Sequence, residues 1–269
     1  MTRFGAVVLI TVLVAACQPT GETNGDLNSG ANGSAPGGLT DGTVVRVNDG
    51  DSVLVETGSG DIEVRLMGIN TPERDECYGP EAEERLIELV DGETVGLEEI
   101  GQDQFDRTLA YLWLGDLLLN LEQVEQGFAI ASTPEAGDPH GGPILDAEGE
   151  AFDARLGLWS ETACGASGPI PPVQVDISAS NFDPPGPDED VLDQEWVAFS
   201  SEELVDTGGW VIRDESSQHR CRLPTGAFID PGESLVVTSI DPCWNPGDSS
   251  VWNNGGDMAL LLDASGRVV

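Results

Sequence analysis

The chain contains no lysine, and its 11 basic residues, all of them arginines, stand against 49 acidic ones, so the formal net charge is −38. This balance is the opposite of the basic surface with which nucleic-acid-binding proteins usually attract their polyanionic partner. A large acidic excess favours solubility in high salt and does not determine the fold. At about 1 M salt the Debye length is only about 3 Å, so distant acidic charge acts weakly on a local site. We therefore expect a saline habitat, and we expect any anion site to depend on local arginines.

Long apolar runs are also rare in the sequence. Residues 6–16 form an apolar run that is too short to cross a bilayer. Arg3 precedes this run and Cys17 follows its Val-Ala-Ala end, a pattern that resembles a bacterial lipoprotein signal peptide. Residues 1–17 are therefore predicted to direct export, with a lipid on Cys17 that anchors the protein to the outer face of a cell membrane, extracellular or periplasmic. An ordinary signal peptide with an incidental cysteine is the alternative.

Large apolar side chains are nearly absent from residues 18–40, which are rich in glycine, asparagine, serine and threonine. Such a segment cannot bury a core, so it is predicted to be a disordered tether. A flexible coil of about 20 residues spans roughly 25 Å, which is enough to hold a domain away from a lipid surface.

Cysteine is scarce, with 5 residues in the whole chain. Export makes disulfides plausible for the four that remain when Cys17 is set aside. Of the three possible pairings, the simplest joins Cys77 to Cys164 and Cys221 to Cys243. Free buried thiols are the alternative.

A Pro/Gly-rich run at residues 165–172 predicts a linker between two folded domains. Residues 41–164 contain five short segments typical of strands and three with helical periodicity, which together predict a small closed barrel with helical additions. The predicted strands are 43–47, 52–56, 61–67, 94–98 and 108–114, and the predicted helices are 80–90, 119–128 and 147–158. Residues 173–269 carry short strand-like segments separated by turn clusters, which predicts a β-sandwich. The fold class is therefore mainly β.

Three short runs of the first domain contain the residue types needed for one chemistry. Residues 49–51 and 65–73 offer oxygen atoms that a hard metal ion prefers. The second run also holds a carboxylate suited to accepting a proton from water. Arginines in 65–73 and 103–107 match the geometry of phosphate oxygens. Together these parts predict metal-assisted hydrolysis of a phosphodiester. Each run taken alone also fits an ordinary turn or a solvated strand arginine.

From about residue 44 to 159 the chain resembles the staphylococcal nuclease (thermonuclease) family. The resemblance is carried, in order, by 49–51, 65–73, 78–82, 107–113, 120–128 and 157–159. It implies an OB-fold barrel that cleaves DNA and RNA with the help of calcium. By the same resemblance, the calcium ligands are Asp51, Asn70 and the backbone carbonyl of Thr71. Glu73 matches the general base, and Arg65 and Arg107 match the two phosphate-binding arginines.

The sequence departs from the family pattern at several positions. Asn70 stands where the family prototype has a second calcium-binding aspartate, which removes one negative charge from the metal site. Gln104 and Phe105 replace a basic residue and a tyrosine near the substrate, and no tyrosine follows Gly127. These changes bear on affinity and base preference more than on cleavage.

Residues 173–269 resemble a lamin-tail domain, which is an immunoglobulin-like sandwich. The resemblance is carried by 195–197, 206–214, 223–224, 230–232 and 252–257. These are mostly turn and core positions, so they indicate a fold and leave the partner of the sandwich unknown.

The combined interpretation is an exported, lipid-anchored, calcium-dependent endonuclease that acts on DNA or RNA as a monomer. One alternative is a catalytically impaired barrel that only binds nucleic acid or protein. A second alternative is a surface adhesion or scaffold lipoprotein whose sandwich is the functional part.

Overall fold

The computed structural model describes residues 34–269 apart from 104, 133–136, 183, 186–191, 216–218, 246–250 and 253–257. The predicted signal peptide, Cys17 and most of the predicted tether lie outside the described residues. In the first half of the chain the elements are β1 (Thr40–Asp49), β2 (Ser52–Thr57), β3 (Gly60–Leu66), β4 (Ile69–Asn70), α1 (Gly79–Val90), β5 (Thr94–Gln102), β6 (Thr108–Leu114), β7 (Leu117–Leu118), α2 (Leu119–Glu125), β8 (Ile130–Ala131) and α3 (Gly141–Asp153).

Five of these strands close into a barrel. Strand β1 pairs antiparallel with β2 and β5, β2 pairs with β3, and β5 pairs with β6. A parallel pairing of β3 with β6 completes the ring. Closure removes the exposed strand edges that an open sheet would leave. The predicted five-stranded OB-type barrel with three helices is confirmed.

The barrel core follows the alternation of the strands. Val53, Val55 and Val64 are completely buried, and Leu112 on β6 is buried among them. Helix α1 covers one side of the barrel through Leu86, because residues at helical spacing form one apolar stripe. The alternating pattern of the sequence therefore fixed which face of each strand points inward.

The third helix differs from its prediction, which was 147–158. It begins at Gly141, where Pro143 in the first turn is compatible with a helix, and it ends at Asp153. Arg155 and Gly157 both adopt positive φ (56° and 53°), which stops the helix. Leu158 lies in the following 3₁₀ turn and continues the apolar pattern without continuing the helix. The second helix likewise ends at Glu125 and not at 128, because Gly127 adopts a φ of 72°.

Residues 173–269, called the C-terminal module below, form short strands around a second core. They are β9 (Gln174–Val175), β10 (Trp196–Ser200), β11 (Val205–Asp206), β12 (Val211–Arg213), β13 (Arg220–Arg222), β14 (Phe228–Ile229), β15 (Ser234–Thr238), β16 (Trp244–Asn245) and β17 (Leu260–Leu262). Sheets of order β15-β10-β9 and β16-β13-β12-β17 enclose Phe199, Ile212 and Trp252. The predicted all-β character is confirmed, and the resemblance to a lamin-tail domain stays a prediction.

Contacts cross the predicted linker at 165–172. An apolar cluster contains Leu158 and Trp159 from the first half and Leu260 and Val268 from the C-terminal module. Arg267 donates hydrogen bonds to the carbonyl oxygens of Glu161 and Gly168, at 3.3 and 2.9 Å. Residues 34–269 therefore belong to one compact unit. Independent folding of the two parts stays a prediction.

Both predicted disulfides are present. Cys77 is bonded to Cys164, which ties the segment before α1 to the end of the first domain. Cys221 is bonded to Cys243 inside the C-terminal module. In the part of the chain that the structure describes, no helix has the length and apolar character needed to cross a membrane.

Candidate active site

Asp51 lies in the tight turn between β1 and β2. The turn is fixed by Asp49, whose Oδ1 accepts a hydrogen bond from the Asp51 amide at 3.1 Å. At Gly50 a Cβ atom would lie 2.7 Å from the Ala82 Cβ, so only glycine lets the turn pack against α1. The Asp51 residue is 5% exposed. The sequence pattern of a hairpin turn therefore places a buried carboxylate at one end of the barrel.

Thr71 holds that carboxylate in place. Its amide and its hydroxyl both donate to Asp51 Oδ2, at 2.7 and 2.8 Å. Two donors on one oxygen fix the orientation of the carboxylate. Among the described residues, the hydrogen bonds from Thr71 and the ion pair with Arg65 all fall on Oδ2 of Asp51.

Arg65, near the end of β3, faces the same carboxylate. Its Nη1 lies 3.2 Å from Asp51 Oδ2 and also donates to the carbonyl oxygens of Leu66 and Ile69, both at 2.9 Å. Its Nη2 donates to Asn70 Oδ1 at 3.3 Å. The guanidinium is therefore held rigidly at the floor of the site.

Burial is the main influence on the ionisation of Asp51. Burial raises the pKa of its carboxyl to about 6, Arg65 and the hydrogen bonds from Thr71 lower it, and the Asp49 carboxylate raises it. Arg65 therefore compensates only part of the cost of burying this charge. A carboxylate that is still short of positive charge is a suitable ligand for a cation.

Asn70 lies in the short β4–β8 pairing, where it is 4% exposed. Its amide oxygen faces Arg65, and its Nδ2 donates to the Glu215 carbonyl at 3.4 Å. Within the described residues, no three side chains of His, Cys, Asp or Glu converge closely enough to hold a metal by themselves. The donor set of Asp51, Asn70 and the Thr71 carbonyl fits a hard cation such as calcium that completes its shell with water, because all three donors are oxygens.

Glu73 lies in the loop between β4 and α1, two residues after Thr71. Its amide donates to Glu76 Oε2 at 2.9 Å. The loop turns back closely, since a Cβ atom at Gly79 would lie 1.9 Å from the Glu73 carbonyl oxygen. Only glycine permits this approach. The side chain of Glu73 is partly exposed, as a group that accepts a proton from water requires.

Arg107 immediately precedes β6. Thr108 pairs with Val64 and Leu109 pairs with Arg65, so the start of β6, which follows Arg107, lies beside the C-terminal end of β3, which carries Arg65. The Arg107 Nε lies 2.7 Å from Asp103 Oδ2, and the guanidinium sits 5.5 Å from the Phe105 ring centre. Burial raises the pKa of the Asp103 carboxyl, but the hydrogen bonds that it accepts from Arg107 and Phe105 lower this pKa by more, so the pKa lies below its ordinary value. Asp103 thus stays charged and orients Arg107.

The structure adds residues to the site that sequence reasoning missed. Glu76 lies within 3.1 Å of Arg213 Nε and 2.8 Å of Arg220 Nη1, both from the C-terminal module. The Glu215 carbonyl of the same module accepts the hydrogen bond from Asn70. No spacing rule joins these positions, because they meet only through tertiary packing. The three runs of the first domain that the sequence analysis identified therefore do not include these neighbouring residues.

Comparisons with known proteins agree with this geometry. The sequence model described as "Staphylococcal nuclease homologue" matches residues 63–161, a range that contains Arg65, Asn70, Thr71, Glu73 and Arg107. An endonuclease of Haemophilus influenzae, itself uncharacterised, is 35% identical over 132 residues, which cover 49% of this chain and 70% of that protein. The thermonuclease of Staphylococcus intermedius is 33% identical over 124 residues, covering 43% of this chain and 74% of that protein.

A micrococcal nuclease of Shigella flexneri is 34% identical over 129 residues, covering 45% of this chain and 74% of that protein. The closed five-stranded barrel with three helices defines an OB-fold protein. The chain belongs to the staphylococcal nuclease family.

Proposed function

We propose that the protein is a calcium-dependent nuclease that hydrolyses phosphodiester bonds of DNA, RNA or both. The observation that carries the proposal is the buried Asp51 carboxylate, held by Thr71 and facing Arg65 inside a barrel of this family. Membership of the family supports the reaction class, and the donor atoms support the metal.

The residues divide the chemistry among them. Asp51, Asn70 and the Thr71 carbonyl would hold calcium, which supplies positive charge next to the scissile phosphate when bound. Glu73 accepts a proton from the attacking water, which becomes the oxygen nucleophile at phosphorus. Arg65 and Arg107 bind the non-bridging oxygens and stabilise the extra negative charge as the bond to the leaving oxygen breaks.

We further propose that the protein is exported and anchored through a lipid on Cys17. The support is the short apolar run that ends at Cys17 and the tether-like composition that follows it. The two disulfides also support an oxidising compartment outside the cytosol. The substrate would then be extracellular or periplasmic nucleic acid. We also propose that the C-terminal module is a lamin-tail-like domain.

The test is digestion of plasmid DNA and of a single-stranded RNA by the purified protein lacking residues 1–17. We expect cleavage with calcium and none with excess chelator, because the proposed reaction needs the metal. The calcium must be millimolar, because a site with one carboxylate fewer than in the family pattern should be weak, with a Kd of about 10⁻⁴ to 10⁻³ M. Full activity in chelator would contradict the metal assignment. Binding of the nucleic acid without cleavage would favour the alternative of a catalytically impaired binding module. Asn70 supports that alternative, because it replaces a carboxylate of the family's metal site.

A further inference from the structure

Glu76 connects the loop that carries Glu73 to the C-terminal module. One carboxylate oxygen, Oε2, accepts the hydrogen bond from the Glu73 amide at 2.9 Å. The other, Oε1, lies 3.1 Å from Arg213 Nε and 2.8 Å from Arg220 Nη1. The Glu76 and Arg213 side chains are 8% and 1% exposed, so this ion pair is shielded from solvent, whereas Arg220 is 36% exposed.

Arg213 is the buried member of this arrangement. Its side chain is 1% exposed, and its Nη1 donates to the carbonyl oxygens of Asp214 and Glu215, at 2.9 and 3.3 Å. Burial and the neighbouring Arg220 charge lower the pKa of the guanidinium, and the carboxylates of Glu76, Glu73 and Asp214 raise it. A buried charge is tolerated when it is paired and hydrogen-bonded, and removal of one partner leaves the other uncompensated.

The same segment of the C-terminal module reaches the site at a second point. The Glu215 carbonyl, which accepts a hydrogen bond from Arg213, also accepts one from Asn70 Nδ2. The module therefore contacts the site on both sides of Thr71 and Pro72. Residues 71–78 have no regular secondary structure, so their conformation depends on such contacts and on the Cys77–Cys164 disulfide.

We propose that Arg213 is a positioning residue for the nuclease reaction, acting through Glu76 on the backbone of Glu73. The C-terminal module is then part of the catalytic unit. This inference rests on the proposed function. Its physical reason is that a general base must lie within hydrogen-bonding reach of the attacking water, and a displacement of about 1 Å can lower the rate about 100-fold.

The first test compares three variants of the purified protein lacking residues 1–17. They are Arg213→Gln, Glu76→Gln and the control Arg267→Gln. The Glu76 variant is a glutamine because its side chain has only one oxygen, which cannot accept from the Glu73 amide and also face the two arginines. Arg267 is a matched control because it is also buried, at 4% side-chain exposure, and pairs with Asp263 at 3.0 Å. We expect kcat on a short oligonucleotide to fall at least about tenfold for the first two variants, with KM nearly unchanged. The control should keep its kcat even if its melting temperature falls.

The second test separates positioning from general destabilisation. The double variant Arg213→Gln/Glu76→Gln should have a kcat no lower than the worse single variant, because both changes break one connection. Amide hydrogen exchange of residues 73–78 should become faster in Arg213→Gln and stay unchanged in the control. If Arg213→Gln does not fold, Arg213→Lys replaces it, since lysine keeps the charge but cannot reproduce the guanidinium contacts.

An unchanged kcat together with unchanged exchange in folded Arg213→Gln or Arg213→Lys protein would overturn the inference. Strictly additive losses in the double variant would also overturn it. Failure of the proposed function looks different, because the unmodified protein would then not cleave nucleic acid at all, while the exchange measurement would still report on the loop.

Discussion

Thr71 donates two hydrogen bonds to one oxygen of Asp51, through its amide at 2.7 Å and its hydroxyl at 2.8 Å. The contact joins the turn after β1 to the loop before α1. It fixes the orientation of the buried carboxylate. The proposed calcium site therefore depends on the pairing of these two loops.

The first prediction concerns pH and Asp51. In the metal-free protein its carboxyl has a pKa of about 6, against 3.8 for an ordinary aspartate. Below pH 6 calcium must displace a proton, so we expect the apparent calcium affinity to fall about tenfold for each further pH unit and to be constant above pH 7. Calcium titrations followed by calorimetry at several pH values measure this. An affinity independent of pH between 5 and 7 would contradict it.

The first prediction has a second part, because the same pKa also determines how the stability of the metal-free protein depends on pH. Because the folded pKa of Asp51 is raised, its contribution to stability is fully present below pH 3.8 and is lost as pH rises through about 6. The difference is at most about 3 kcal/mol. Asp51→Asn should remove this component from the pH dependence of the free energy of unfolding. Denaturant titrations of both proteins in chelator, between pH 4 and 7, provide the comparison.

The second prediction concerns Asn70→Asp. A carboxylate there adds the negative charge that the family pattern contains, so calcium affinity should rise by about tenfold or more. Without calcium the new carboxylate would face the Glu215 carbonyl, which now accepts a hydrogen bond from Asn70, and it would repel Asp51. We therefore expect a lower melting temperature in chelator and a higher one in calcium. A variant stabilised equally in both conditions would show that position 70 does not contact the metal.

The third prediction concerns Glu73→Gln, which keeps the shape of the side chain and removes the proposed base. Turnover should fall about 100-fold or more while the melting temperature changes little. Glu84→Gln is the control, because Glu84 is an exposed glutamate on the adjacent helix α1. Equal turnover of the two variants would exclude Glu73 as the base.

The fourth prediction concerns Arg107→Lys. Lysine keeps the charge but cannot bind two phosphate oxygens in the fork geometry of a guanidinium, so kcat should fall about 100-fold. Arg155→Lys is a matched control, since Arg155 also lies over a phenylalanine ring, at 4.6 Å from the centre of Phe152. A similar loss in both variants would mean that stacking and not phosphate binding explains the effect.

The fifth prediction concerns salt. A net charge of −38 repels a polyanionic substrate, and screening removes this repulsion before it weakens close arginine–phosphate contacts. Initial rates on DNA should therefore rise from low salt, pass through a maximum and then fall. A steady fall from the lowest salt concentration would show that long-range repulsion does not limit the rate.

The sequence predicted much of the barrel because its signals are local. Alternating residues in β1, β2 and β3 have one buried face, and the structure follows that alternation, whereas β6 is buried on both faces. Helix α3 was placed too late because the apolar spacing continues through Leu158, although positive φ angles at Arg155 and Gly157 end the helix earlier. Periodicity reports which residues face the core, and it does not report where the backbone changes direction.

The sequence by itself determined the residue types of the site and the loops that present them. Asp51 lies in a tight turn, and Asn70, Thr71 and Glu73 lie in one continuous segment that runs from β4 into the loop before α1, so these residues are neighbours through short-range order in the chain. Only the tertiary structure decided that Arg213 and Arg220 meet Glu76, and that Glu215 meets Asn70. The physical reason is that an ion pair between distant segments depends on how two cores pack, and neither charge pattern nor spacing encodes that packing.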